Sequence, residues 1–120
     1  MFNIDNVEKE IINSFFEIFE IVLTKRNFDI QDNSLSILID LEKNLKVNIY
    51  YSKRKENFKL NFTLIVNETR IWAIHYNNIQ GWQENKLENP DLHFNINQMA
   101  INEIVIKVLE IVNQLNLNKE

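Results

Sequence analysis

The chain has 120 residues, no cysteine and a formal net charge of −4. This length predicts one domain that can bury a core without cross-links, and the absence of cysteine excludes disulfides and thiolate metal sites. The negative charge disfavours attraction of the whole molecule to nucleic acid. The first residues do not resemble a signal peptide, and no apolar run reaches the length of a membrane span. We therefore expect a cytoplasmic protein with no membrane segment.

Two amphipathic helices are predicted, one near each end of the chain. Apolar residues recur at helical spacing near residues 6–25, where Asp5 followed by Glu8 resembles a capping box. A second stripe near residues 97–115 starts after Asn97, a residue type that favours helix starts.

Between the helices the apolar period changes from 3.6 to 2. Alternation over 34–41, 45–51, 58–66 and 70–76, with short polar turns between these segments, predicts four antiparallel strands. The whole chain, residues 1–120, is therefore predicted to be a single α+β domain. Both helices are expected to pack on one face of a four- to five-stranded antiparallel meander. Central positions in the apolar stripes predict three buried residues: Phe15, Phe62 and Val108.

The opposite face of the predicted sheet is polar. Its residues on the second and third predicted strands would be exposed to water or to a partner: Lys46, Asn48, Tyr50, Lys59, Asn61 and Thr63.

The segment 76–96 breaks the pattern. It holds the single glycine, Gly81, the single proline, Pro90, and Trp82. Alternation over 92–96 predicts a short fifth strand, and the remainder is predicted to be a long loop. Long loops in compact domains are commonly functional.

Metal binding and nucleophilic catalysis have weak support. Two histidines and a carboxylate can bind a metal, and the candidates are His75, His93 and either Asp91 or Glu84. These residues lack HxxH or HxH spacing. A nucleophilic site is disfavoured because the chain has no cysteine and, with a single glycine, neither a GxSxG motif nor a phosphate-binding loop. We therefore expect no metal and no cofactor.

A basic hairpin raises the possibility of RNA binding. Cations beside an aromatic ring are typical of single-strand recognition. The acidic balance of the chain instead favours a solvated turn and a wet sheet face for these residues: Lys46, Tyr50, Lys53, Arg54, Lys55 and Lys59.

The two tryptophans are candidate contact residues. Trp72 shares a strand face with Ile74 and Tyr76, which predicts a core position. Trp82 follows Gly81 in a polar segment, where it would either fold back to anchor the loop or present an exposed aromatic anchor to a partner.

A resemblance emerges over the C-terminal half. The stretch 58–66 followed by Asn67-Glu68-Thr69-Arg70 resembles the TumE-type toxins of toxin–antitoxin pairs and their uncharacterised relatives. Arg70 would match the family's arginine, and Gly81 its glycine. Asn77-Asn78 stands where Asp-Asn is usual. Gln83 and Asn85 stand where the family tends to have histidines, and His93 matches further on.

The resemblance implies a toxin-like module of a prokaryotic toxin–antitoxin or defence locus, acting on RNA and neutralised by a protein partner. It implies catalytic roles for Arg70, which would hold a phosphate, and for His75 and His93, which would move protons. Binding roles would fall to Trp82, Asn77, Asn78 and Gln83.

The lack of a catalytic motif supports an alternative. A small acidic α+β domain is also typical of a non-enzymatic binding protein, such as an inhibitor, an immunity protein or a chaperone-like adaptor, with a homodimer as the expected form. A protein partner is expected in either case, and whether the chain is an enzyme is left open. We further predict that Arg70, His75, Trp82 and His93 meet around a shallow cleft at one end of the sheet.

Overall fold

The computed structural model describes residues 4–86 and 89–118, with side chains described for 6–86 and 94–116. Helix α1 spans Ile4–Phe19 and helix α2 spans Ile101–Asn118. Neither helix of this described part is both long and apolar enough to cross a membrane. Between them, the described residues form seven strands: β1 (Phe28–Gln31), β2 (Ser34–Glu42), β3 (Leu45–Arg54), β4 (Asn57–Val66), β5 (Thr69–Asn77), β6 (Gly81–Lys86) and β7 (Asn89–Asn95).

The strands form a meander in which spatial order follows chain order from β1 to β7, and each pair of neighbours is antiparallel. Tight turns join β2 to β3, β3 to β4 and β4 to β5. Residues with positive φ occupy these turns, namely Asn44, Lys55, Asn67 and Glu68. Left-handed conformations of this kind match the twist of paired strands in short hairpins.

Both helices pack on one face of the sheet, as the α+β prediction required. One core cluster joins the inner positions of β2–β6 to the apolar sides of α1 and α2. Phe15, Phe62 and Val108 are each 0% exposed, which confirms the predicted core positions. Trp72 is buried in the same cluster, as its strand face predicted.

The strand count was predicted too low. The segment 76–96 was interpreted mainly as a loop, but it contains the end of β5, all of β6 and the whole of β7. The predicted strand over 92–96 corresponds to the end of β7. Strand β6 was missed because its inner positions are Trp82 and Glu84, so that a carboxylate interrupts the apolar alternation.

The helix bounds also differ from those predicted. Helix α1 ends at Phe19 rather than near residue 25, because Glu20 adopts a φ of 58° and the Ile21 amide donates to the Phe15 carbonyl at 3.2 Å. Helix α2 begins at Ile101 rather than residue 97. Its start is capped when the carboxylate of Glu103 accepts a hydrogen bond from the Ala100 amide at 2.9 Å.

Candidate functional site

The sheet face turned away from α1 and α2 is here called the outer face, and it carries most of the polar side chains of β3 and β4. Successive side chains on a strand alternate between faces, so the neighbours of buried core residues point outward. On β3 and β4, for example, Lys46, Asn48, Lys59, Asn61 and Thr63 are exposed or half-buried, as the sequence predicted.

A row of polar side chains crosses the middle of the outer face. The strand registers align, from β2 to β7, one residue per strand: Ser36, Tyr50, Asn61, His75, Gln83 and Asn95. We call this set the central row. Its members on β2–β6 are half-buried, whereas Asn95 is exposed. The row therefore offers hydroxyl, amide and imidazole groups at regular strand spacing.

His75 is held in place by its neighbour in the central row. Its Nδ1 lies 3.0 Å from Oδ1 of Asn61, which faces it across β4 and β5. An amide oxygen only accepts hydrogen bonds, so Nδ1 carries the hydrogen in this pair. The pair fixes the orientation of the imidazole ring on the outer face.

A groove of about 610 Å³, here called the polar groove, lies at one end of the outer face. Its first wall is the end of the β3–β4 hairpin, with Tyr50, Arg54 and Lys59. Its second wall is the turn between β5 and β6, residues 77–80. Two cations and an aromatic ring therefore face a turn rich in side-chain amides.

Asn77 and Asn78 shape the second wall. The side-chain oxygen of Asn77 accepts hydrogen bonds from the amides of Ile79 at 3.0 Å and Gln80 at 2.7 Å. The side chain of Asn78 bridges to the other wall, where it accepts from the Phe58 amide at 3.0 Å and donates to the Glu56 carbonyl at 2.6 Å. The two walls are thereby fixed relative to each other.

Charge is distributed unevenly along the chain. Helices α1 and α2 carry six acidic and two basic residues, whereas the segment 45–66, which contains β3 and β4, carries five basic residues and one acidic residue. The remaining residues carry ten acidic and six basic residues, so the segment 45–66 stands out as the basic part of an acidic chain. The first wall of the polar groove belongs to this basic segment.

The remaining charged cluster lies under α2, on the inner face. The buried carboxylate of Glu84 accepts hydrogen bonds on one oxygen from Trp72 Nε1 at 2.8 Å and from Lys107 Nζ at 3.2 Å. Burial raises the pKa of Glu84, but these two hydrogen bonds and the charges of Lys107 and Lys86 outweigh it and hold the pKa below its ordinary value. This cluster joins the sheet to α2.

The predicted cleft residues do not come together. Arg70 is exposed and precedes His75 by five positions on β5, which places their Cα atoms roughly 15 Å apart at the rise of an extended strand. Trp82 is 8% exposed and packs against Tyr76 on the inner face, with ring centroids 4.9 Å apart, whereas His75 points outward. Trp82 therefore folds back to anchor its own segment and is not exposed to a partner. His93 lies in β7, and its side chain is outside the described residues.

The metal candidates are also separated. Glu84 points to the helices and His75 to the outer face, while the side chains of Asp91 and His93 lie outside the described part. Among the described residues, no group of three or more His, Cys, Asp or Glu side chains could hold a metal ion.

Comparison with protein-family models, curated proteins and solved structures gives no match. The resemblance to TumE-type toxins therefore stays a prediction. The fold itself defines the class of the protein, a two-layer α+β domain whose outer sheet face is exposed or half-buried at most positions of β2–β4 and buried at Ala73 and Asn85.

Sequence reasoning identified the components of the polar groove without joining them. The cations and Tyr50 were interpreted as a solvated hairpin, and Asn77 and Asn78 were singled out through the resemblance alone. Gln80 and Asn57, which also line the groove, were not considered. The available signal was the run of amide side chains immediately before Gly81, because such a run is typical of an ordered turn.

Proposed function

We propose that this protein is a non-enzymatic binding protein that receives a protein partner on the outer face of its sheet. One observation carries the proposal: the helices cover the inner face, while the outer face presents the central row and the polar groove on a rigid meander. Functional groups on strands are held more precisely than those on loops, which suits a preformed interface.

The geometry supports binding better than catalysis. General acid–base chemistry needs its groups within hydrogen-bond reach of one reacting centre, yet Arg70 and His75 are separated by most of β5. Apart from His75 and Tyr50, the central row consists of three amide side chains and one serine hydroxyl, which donate and accept hydrogen bonds. Such groups give an interface specificity.

The test compares one substitution made on each layer. Asn48→Glu places a charged side chain on the exposed outer face of β3, and Asn13→Glu makes the same change on the exposed side of α1. The tagged wild-type protein and both variants are purified from the native host, and co-purifying proteins are quantified by mass spectrometry. We expect Asn48→Glu to lose a partner that the wild-type protein and Asn13→Glu both retain. Equal retention by the two variants would refute the proposal.

The toxin-like function is a second candidate, supported by the resemblance and by one contact. Asn61 orients the His75 ring, as a supporting group orients an acid–base histidine. The corresponding test is growth of cells that express the wild-type protein, His75→Ala or His93→Ala. Growth inhibition that disappears with His75→Ala but persists with Asn13→Glu would favour this candidate. Inhibition that neither histidine substitution relieves would remove both histidines from the mechanism.

A further inference from the structure

We propose that the polar groove binds an acidic segment of the partner protein that carries a large apolar side chain. The inference rests on the proposed function and specifies which part of the outer face recognises the partner and by what chemistry. Three observations support it: the two groove cations have no carboxylate partner among the described side chains, an isoleucine is exposed at the turn, and hydrogen bonds fix the walls.

The cations of the groove are available for a ligand. Arg54 and Lys59 are both exposed, and neither has a carboxylate partner among the described side chains. Lys46, further along the same face, differs because Asp40 lies 3.8 Å from it. A guanidinium group binds a carboxylate through two parallel hydrogen bonds, and an ammonium group can neutralise a second carboxylate nearby.

An apolar side chain stands beside the cations. Ile79, at the tip of the β5–β6 turn, is 82% exposed, and it lines the groove opposite the half-buried ring of Tyr50. An exposed isoleucine held between ordered polar residues gains free energy when a partner's apolar side chain covers it. The groove thus pairs one apolar contact with two positive charges.

The walls are already in their binding geometry. Hydrogen bonds of Asn77 fix the turn that carries Ile79, and the Asn78 side chain ties this turn to the start of β4. A preformed site avoids the entropic cost of ordering a loop when the ligand binds.

Charge complementarity favours an acidic peptide over RNA. The two groove cations would release few counterions from a nucleic acid, and the net charge of −4 repels a long polyanion. A short segment with one or two carboxylates interacts with the two groove cations and extends little beyond them.

The experiment uses defined peptides and the full chain. The probe is a fluorescein-labelled decapeptide of alternating Leu and Glu, measured by fluorescence anisotropy at low salt. An alternating Ser and Glu decapeptide tests the apolar contact, and a decamer of uridylate tests nucleic acid. Arg54→Gln combined with Lys59→Gln removes the groove cations. Lys25→Gln combined with Arg26→Gln is the matched control, because it removes one exposed lysine and one exposed arginine that do not line the groove.

We expect the groove double variant to weaken binding of the Leu–Glu peptide by about tenfold or more, as the loss of charge-assisted hydrogen bonds predicts. The matched control should stay within about twofold, because exposed charges outside the groove contribute little. Ile79→Ser should weaken binding of the Leu–Glu peptide more than binding of the Ser–Glu peptide. Val22→Ser, at an exposed position outside the groove, should leave the affinity for both peptides unchanged.

Three results would overturn the inference: no binding of the Leu–Glu peptide, equal weakening by the two double variants, or tighter binding of uridylate than of the peptide. Its failure is distinguishable from failure of the proposed function. If the peptide does not bind while Asn48→Glu still loses the co-purifying partner, the partner uses another part of the outer face. If Asn48→Glu retains the partner, the proposed function itself fails.

Discussion

Replacement of Lys107 by Met tests the buried charge cluster directly. The substitution keeps an unbranched apolar stem and removes the ammonium group that lies 3.2 Å from Glu84. The Glu84 side chain is 6% exposed, so its carboxylate would keep the hydrogen bond from Trp72 but lose its cation in a nearly dry site. We expect the protein to lose stability at pH 7.

The magnitude lies between two limits. Breaking a fully buried ion pair costs about 3–5 kcal/mol, and breaking an exposed pair costs about 0–1 kcal/mol. The Lys107 side chain is 40% exposed, so water screens part of its interaction with Glu84. We therefore expect a loss of about 2 kcal/mol in the free energy of unfolding at pH 7.

The effect should depend on pH in a defined direction. The folded state lowers the pKa of Glu84, so its carboxylate contributes stability above its ordinary pKa, and this contribution is lost as the pH falls through the folded value. Once Glu84 is protonated, the missing ammonium group matters little. The difference between wild type and Lys107→Met should therefore narrow as the pH is lowered from 7 to 3.

Urea unfolding followed by circular dichroism measures this difference without adding salt. Lys46→Met is the matched control, because the Lys46–Asp40 pair has side chains 47% and 75% exposed and should contribute under about 0.5 kcal/mol. In a Glu84→Gln background, Lys107→Met should also cost little, since the buried charge is gone. A loss that is the same at pH 7 and pH 3, or no larger than that of Lys46→Met, would refute the reasoning.

Three further predictions concern the core and one turn. Phe62→Ala should lower the free energy of unfolding by about 3–5 kcal/mol, because the side chain is fully buried in the core cluster, and a loss below about 1 kcal/mol would contradict that placement. Burial raises the pKa of Tyr51, so the contribution of its neutral hydroxyl to stability is complete below the ordinary pKa of 10.0 and declines as the pH rises further. Urea midpoints measured from pH 8 to 11 should therefore fall more steeply for wild type than for Tyr51→Phe. Gly81 has a φ of 79° and open space where a Cβ would lie, so backbone strain alone should make Gly81→Ala cost about 1 kcal/mol and Gly81→Asn less, and equal thermal midpoints for all three proteins would count against this account.

Strands β2, β3 and β4 were predictable because their inner positions are uniformly apolar. Each alternates between a buried and a more exposed residue over most of its length, which is the pattern that a half-buried strand imposes. Strand β6 breaks this rule, since Glu84 occupies an inner position and is stabilised by Trp72 and Lys107. Periodicity cannot reveal a buried carboxylate whose partners lie on other elements.

The end of α1 shows a second limit. The apolar spacing continues beyond Phe19 through Val22 and Leu23, so the sequence pattern alone extends the helix. In the structure Leu23 still reaches the core, but after a left-handed residue at Glu20 and in a non-helical segment, and Val22 is 69% exposed. Tertiary packing therefore buries Leu23 even though the backbone around it is not helical.

The polar groove depends on long-range placement that no local pattern contains. Its walls come from the β3–β4 hairpin and from the turn after β5, and they become neighbours only through the register of β4 with β5. The residue types were visible in the sequence. Their convergence was not, because a one-residue change of register would turn the wall residues to the other face.

The strictly sequential order of the strands has a consequence for the folding route. Each strand pairs with its neighbour along the chain, so the sheet can form hairpin by hairpin with short loops to close, at little entropic cost. Contacts between α1 and α2 instead join segments from opposite ends of the described chain. We expect local hairpins to form the folding nucleus and the helix pair to dock late. Substitutions in β3 and β4 should then mainly slow folding, and substitutions between the helices should mainly accelerate unfolding.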